Sequence, residues 1–491
     1  MKKKRLIPAT CILFAILIPL VFFFGIALSQ PDMYSEAFVA ELSNKFERLS
    51  SIDEPKVIVV GGSSVAFGLD SETMERELGM PVVNFGLYAS LGTKLMMDLS
   101  RANIGDGDIV IISPEMSEQT LSLYFNAQST WQAIDGNSSM LRYIATEDLP
   151  KMAGSFYEHA ITKFRYAREG ITLSPSGVYR SDSFNEYGDI KYDRPYNTMY
   201  AMTGIPYDTS NMIDLSCDIV SEEFIEYVNE YTKWCNKKGA TVYFSFCPMN
   251  KAALSDTTSH ESMIEMFEFM ADNLDCNVIN SPTDTVYEPN YFYDTNFHLN
   301  DAGVTLHTRV LLEGIYRAKG RTEFPNVSVA DMPDLPIYEG HLSTKGNEYA
   351  DYFSYEKYGV GYMVVGTQEN ALDAEYLEIP SSYEGLPVIA IGRGIFKDCG
   401  SLTKIKIYEN ISAFSAGVFE GCGNIEVYMS VDDAEDMKDP DLPLPQVSME
   451  LLNGNNGNIS FMFTYECYKR FLEDYSWQQH GEFFKLVNEM P

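Results

Sequence analysis

The 491-residue chain carries 36 basic against 70 acidic residues, a formal charge of −34, and is 45% hydrophobic. That apolar content excludes a disordered chain and supplies at least one large core in two or three domains. An acidic surface of this strength repels phosphate backbones and excludes a nucleic-acid partner.

Lys2, Lys3, Lys4 and Arg5 precede an apolar run over residues 6–28. As a helix rising about 1.5 Å per residue it would span roughly 34 Å, enough to cross a bilayer. The basic flank predicts a single-pass signal anchor in the cytoplasmic membrane with the bulk of the chain outside the cytoplasm. Ala27-Leu28-Ser29 also fits a small-x-small cleavage site, so a cleaved signal peptide and a secreted protein is the alternative. Residues 1–31 are assigned to this segment. Seven cysteines lie beyond it, an odd number without a CxxC spacing. That argues against a disulfide framework or a zinc site, and most read as small core residues.

A polar stretch with an amphipathic helix over 35–49 leads to Val57-Ile58-Val59-Val60, four β-branched residues that predict a buried strand of a parallel sheet. The strand ends in Gly61-Gly62-Ser63-Ser64. A helix over 71–78 follows, capped by Asp70 or Ser71 and ended by Gly79. A short strand then reaches Asn84-Phe85-Gly86, a helix occupies about 92–102, and the apolar run 109–112 ends at Ser113-Pro114-Glu115. Strands alternating with helices predict βαβ units. From about 119 to 219 the chain is rich in Tyr, Asp, Asn and Ser with no sustained period, which predicts an insertion: a substrate-facing cap or a decoration. Regularity returns with a helix over 221–238, strands over 240–246 and 276–279, a helix over 261–274 between them, and a closing helix from 302. The α/β domain therefore spans 32–319.

Residues 320–351, with three prolines and many acids, form a linker. Beyond it, in 352–491, Ile391–Leu402 aligns with Phe414–Ile425; Phe396 and Phe419, Cys399 and Cys422, and Leu402 and Ile425 are each 23 positions apart. Such a period predicts stacked repeats. A hairpin over 352–366 and a helix over 465–475 would cap them.

A nucleophilic serine needs a base, a group that orients the base, and amide donors for the oxyanion. Ser63 stands just past the carboxyl end of the first strand, where open α/β sheets bind ligands. Of six histidines, His298 alone lies in a loop after the last strand, with Asp294 four residues earlier. It is the candidate base, and Asp294 the orienting carboxylate. His307, on the next helix, reads as a solvated or core histidine. Ser64 is a rival nucleophile, because residues 62–66 nearly spell the G-x-S-x-G elbow of α/β-hydrolases.

The block Gly61-Gly62-Ser63-Ser64, Gly86 after the second strand, and Asp294 with His298 resemble the SGNH, or GDSL-like, hydrolase and acyltransferase superfamily over about residues 56–316. The resemblance implies a three-layer, flavodoxin-like α/β fold, Ser63 as nucleophile, His298 as base, and the amides of Ser63 and Gly86 in the oxyanion hole. No cofactor and no metal are implied. GGSSVAFG is similar to the membrane-anchored branch associated with O-acylation of cell-surface polysaccharides. That implies acyl transfer or ester hydrolysis, with acetyl the expected group, an acylated or acceptor glycan, and a membrane-bound acyltransferase partner. Two departures stand out. The family's Gly-x-Asn-Asp block is replaced by Ser113-Pro114-Glu115, leaving Asn84 to stand in for the asparagine, because Glu115 could not stabilise an oxyanion while ionised. His298 also follows Asp294 by four residues, not three. The C-terminal repeats resemble BspA-type leucine-rich repeats, which implies a binding or spacer module. The alternative function is a surface adhesion protein whose repeats act over an inactive α/β scaffold.

Overall fold

The computed structural model describes residues 23–430 apart from 171–176, 210, 337–342, 398 and 409, and beyond 430 residues 444, 447, 451, 452, 454, 455, 457, 459–464, 467, 468, 470, 471, 477 and 481–487. Residues 23–28 are helical, but most of the expected membrane helix lies outside the described residues, as does most of the expected C-terminal helix 465–475. Among the described residues no helix is long and apolar enough to cross a membrane.

The first unit is built on a five-stranded parallel sheet. Its strands are β1 (Val57–Gly61), β2 (Val82–Gly86), β3 (Ile109–Ser113), β4 (Thr241–Phe244) and β5 (Asn277–Val278), in the order β2-β1-β3-β4-β5. Gly61 lies level with Gly86 on one side and Ser113 on the other, so these three adjacent strands end together. Alternate residues of β1 feed two cores, as a strand buried on both faces must. Ile58 and Val60 join one core with Leu42, Leu95 and Phe224, while Val57 and Val59 join the other with Met74, Leu311 and Ile315. Helices α1 (Glu41–Ser51), α4 (Thr93–Ser100) and α6 (Glu222–Lys237) therefore cover one face. Helices α3 (Ser71–Leu78) and α8 (Asp301–Ala318) cover the other. Between β1 and α3 lies a single helical turn, α2 (Ser63–Ala66).

Several ends follow from local chemistry. Asp70 accepts from the Thr73 amide to cap α3, and Gly79 closes it at φ 66°. Ser221 caps α6, and Asn300 caps α8 through the Gly303 amide. The expected helix over 35–49 begins later, at Glu41, because residues 38–40 form a 3-10 turn.

The insertion corrects one expectation. Within it α5 (Leu149–Glu169) runs for 21 residues, in a stretch that showed no sustained period. Its buried stripe includes Met152, Phe156 and Tyr166 but also His159 and Lys163, and Lys163 Nζ lies 2.5 Å from Asp135 Oδ1. Polar residues on the buried face and Tyr157 and Ile161 on the exposed one erase the amphipathic signal.

The second unit opens with the antiparallel pair β6 (Phe353–Tyr358) and β7 (Gly361–Thr367), which β9 (Leu386–Ile391) extends. A parallel ladder runs through β8 (Tyr376–Glu378), β10 (Lys404–Tyr408), β11 (Ile425–Ser430), β12 (Ile459–Phe463) and β13 (Phe484–Leu486), in that order. Ile405 pairs with Val427 across β10 and β11, and the Phe396 and Phe419 rings stack 6.1 Å apart. The stacked rings are 23 positions apart and the paired strand residues 22, so the sequence spacing is one step of a ladder, with Cys399 and Cys422 buried on it.

Candidate active site

Three strand ends meet under Ser63, and two glycines permit the approach. A Cβ on Gly61 would lie 2.3 Å from the Ser113 carbonyl oxygen, and one on Gly86 would lie 2.3 Å from Val65 Cβ. Any side chain at either position would push α2 off the strand ends. Ser63 itself is 6% exposed. Its hydroxyl donates to Glu115 Oε1 at 2.9 Å, and the Ser64 amide donates to the same oxygen at 2.9 Å. Glu115, just past β3, is buried, as is Ser64, whose hydroxyl has no hydrogen-bond partner among the described residues.

His298 enters from the loop before α8. Its Nδ1 is 2.8 Å from Asp294 Oδ1. The four-residue spacing is accommodated by a turn in which Thr295 Oγ1 accepts from the amides of Phe297 and His298. Tyr179, from the insertion, donates its hydroxyl to Asp294 Oδ2 at 2.6 Å. Burial, and then the Asp294 charge, push the Tyr179 hydroxyl well above the ordinary tyrosine range, so it stays a neutral donor. The His298 ring stacks on Phe67, centroids 4.0 Å apart and planes 3° from parallel. The Arg194 guanidinium lies 5.4 Å from the same Phe67 ring. Phe67 also donates its amide to the Ser63 carbonyl at 2.9 Å, which ties the platform under the imidazole to the turn that opens with the serine. Nδ1 is held by Asp294, and His298 Nε2 has no hydrogen-bond partner among the described residues.

The expected oxyanion donors divide. The Ser63 amide begins α2 and, like other first amides of helices, has no intrahelical partner. The Gly86 amide donates to Asn84 Oδ1 at 3.1 Å. Asn84 is fully buried, and its Nδ2 donates to the Val65 carbonyl at 3.0 Å and to Asp189 Oδ1 at 2.8 Å. Its amide hydrogens therefore tie the insertion to α2 and are committed away from the serine. Asp189 also accepts from the Ser71 amide and hydroxyl, which partly offsets the burial that raises its carboxyl.

The structure thus brings Ser63, Gly86, Asp294 and His298 to the carboxyl edge of the sheet, places Asn84 beneath it, and adds three residues that the sequence did not mark as partners. Glu115 binds the serine, Tyr179 binds Asp294, and Phe67 carries the imidazole. His307 is a core histidine: burial pushes it down to about 3, and its Nδ1 lies 2.9 Å from the Tyr287 hydroxyl. Among the described residues no group of His, Cys, Asp and Glu is arranged to hold a metal ion. Set against protein-family models, curated proteins and solved structures, the chain matches none of them.

Proposed function

We propose that this protein is an SGNH-type enzyme that transfers or hydrolyses acyl groups, acetyl first among them, on surface polysaccharide outside the cytoplasm, with residues 6–28 as its membrane anchor. The observation that carries the reading is the His298–Asp294 pair at 2.8 Å, with its ring on Phe67, the residue that ends the turn opened by Ser63. The sheet order supports it, because β2-β1-β3-β4-β5 is the flavodoxin-like order that the resemblance implies, with ligands bound beyond the carboxyl ends of the strands.

In this mechanism the Ser63 oxygen forms a bond to the acyl carbonyl carbon while His298 Nε2 takes the hydroxyl proton. The tetrahedral oxyanion is met by the Ser63 amide and by the Gly86 amide once that turns from Asn84. Collapse breaks the ester bond, and His298 returns the proton to the leaving alkoxide. Water or a sugar hydroxyl then gives its proton to His298 and attacks the acyl carbon; the bond from that carbon to Ser63 Oγ breaks, and His298 returns the proton to Oγ. Asp294, steadied by Tyr179, holds the imidazole with Nδ1 protonated. A transferase would receive its acyl group from a membrane-bound acyltransferase. The second unit is read as BspA-type leucine-rich repeats that bind or space the enzyme on the cell surface.

One observation favours a second reading, a surface binding protein over an inactive scaffold: the Ser63 hydroxyl donates to the carboxylate of Glu115 and not to His298. A fluorophosphonate probe separates the two. Labelling of Ser63, located by peptide mass spectrometry and lost in both Ser63→Ala and His298→Ala, supports the enzyme. Absence of label on folded protein refutes it.

A further inference from the structure

We propose that the solvent-facing side of α5 lies on the lipid bilayer, so that the insertion is a second, interfacial membrane contact beside the N-terminal anchor. The inference rests on the reading of residues 6–28 as a membrane segment. The described end of that segment already sits on this helix. Phe24 stacks on Phe156 with ring centroids 3.5 Å apart, and Phe23 meets Tyr157 and Phe164 at 6.2 and 6.0 Å. The chain that would emerge from the bilayer therefore emerges along α5.

At 100° per residue, Pro150, Gly154, Tyr157, Ile161, Phe164 and Arg168 fall on one face of α5. That face is apolar for most of its length, with exposed Glu158 at its border, in a chain with a net charge of −34. Tyr157 is 68% exposed and Ile161 45%, and Ile26 of the N-terminal segment adds another apolar side chain at 48%. Exposed large side chains of this kind form a patch here because Phe23 bridges them to the anchor. The 21-residue helix would lie flat for roughly 30 Å. Arg168 ends the face and exposed Arg165 borders it, where long basic side chains can reach lipid phosphates while their stems stay in the apolar layer. Tyrosine at such a boundary suits its apolar ring and polar tip. The contact has a consequence for catalysis, since Tyr179 follows α5 by ten positions and holds Asp294. Docking α5 would set the height of the site above the membrane.

The test uses the full chain in nanodiscs of phosphatidylethanolamine and phosphatidylglycerol with brominated acyl chains. Tyr157→Trp and Ile161→Trp report from the face, and Ile264→Trp, on α7 (His260–Asn273) and 40% exposed, is the control. Tryptophan added at 157 or 161 should lose emission about twofold in brominated discs, as a side chain at the acyl boundary does, while that at 264 should not change. Equal behaviour of the three in protein that co-elutes with discs overturns the inference and leaves the anchor standing. Failure to co-elute removes the anchor and the inference together. Shielding of 157 that appears in lipid-free protein only as its concentration rises would assign the face to a second copy and also overturn it.

Discussion

Glu115 gives the proposed mechanism its sharpest exposure to failure. Its Oε1 lies 2.9 Å from Ser63 Oγ. The oxyanion forms on the carbon bonded to Oγ, so the two negative charges would stand about 4 Å apart, a repulsion of about 4 kcal/mol at an effective dielectric constant of 20. Glu115→Gln removes that charge and keeps an oxygen to accept from the hydroxyl of Ser63 and the amide of Ser64. A wild-type carboxylate that swings aside during turnover recovers part of this, so the gain is set at about 100-fold in kcat/KM, or about 2.7 kcal/mol. The assay is hydrolysis of p-nitrophenyl acetate by the full-length protein, measured as the rate above that of Ser63→Ala. Thermal melting checks that the variant is folded. A Glu115→Gln rate at or below wild type would refute the reasoning and make Glu115 a group the serine needs.

Three further outcomes are expected. Gly86→Ala places a methyl group 2.3 Å from Val65 Cβ, and overpacking of this kind costs about 1–3 kcal/mol; thermal melting should show the loss and Ser63 labelling should fall with it. Phe419→Ala empties a fully buried position on the repeat ladder, at about 3–5 kcal/mol. It should lower the melting transition of the second unit and leave fluorophosphonate labelling of Ser63 intact. His307 is held neutral by burial at about 3, against 6.5 when exposed, so the unfolded chain binds a proton the native chain does not. The associated stability is complete above pH 6.5 and falls as pH drops toward 3, by about 2 kcal/mol at pH 5. His307→Gln, which keeps an acceptor for Tyr287, should lose correspondingly less stability than wild type between pH 7.5 and 5 in urea titrations.

Much of the first unit was legible because its elements follow from local patterns. Val57–Val60 is β-branched throughout, and both of its faces are buried, as such a run requires. Helix α3 was bounded correctly because Asp70 and Gly79 are the caps their chemistry suggests. Helix α5 was not legible, because Lys163 and His159 lie on its buried stripe and Lys163 is matched there to Asp135, 28 positions earlier. No window along the chain contains both partners.

The site divides along the same line. Ser63 and His298 stand out because each occupies a distinctive local setting, a glycine turn after a strand and a loop before a capped helix. Asp294 shares that loop with His298. The partners that give the site its character are remote: Glu115 is 52 positions from Ser63, and Tyr179 is 115 from Asp294. Asn84 is the instructive case, because its placement needed no remote information. Side chains alternate along a strand, so Asn84 shares the face of Val82, and Val82 packs in the core under α3 and α8. A buried asparagine on a core face must spend its amide hydrogens on nearby acceptors, and it does so on Val65 and Asp189. Strand parity alone therefore argues that Asn84 anchors the structure beneath the serine, and it leaves the oxyanion to the backbone amides and to whatever stands at position 115.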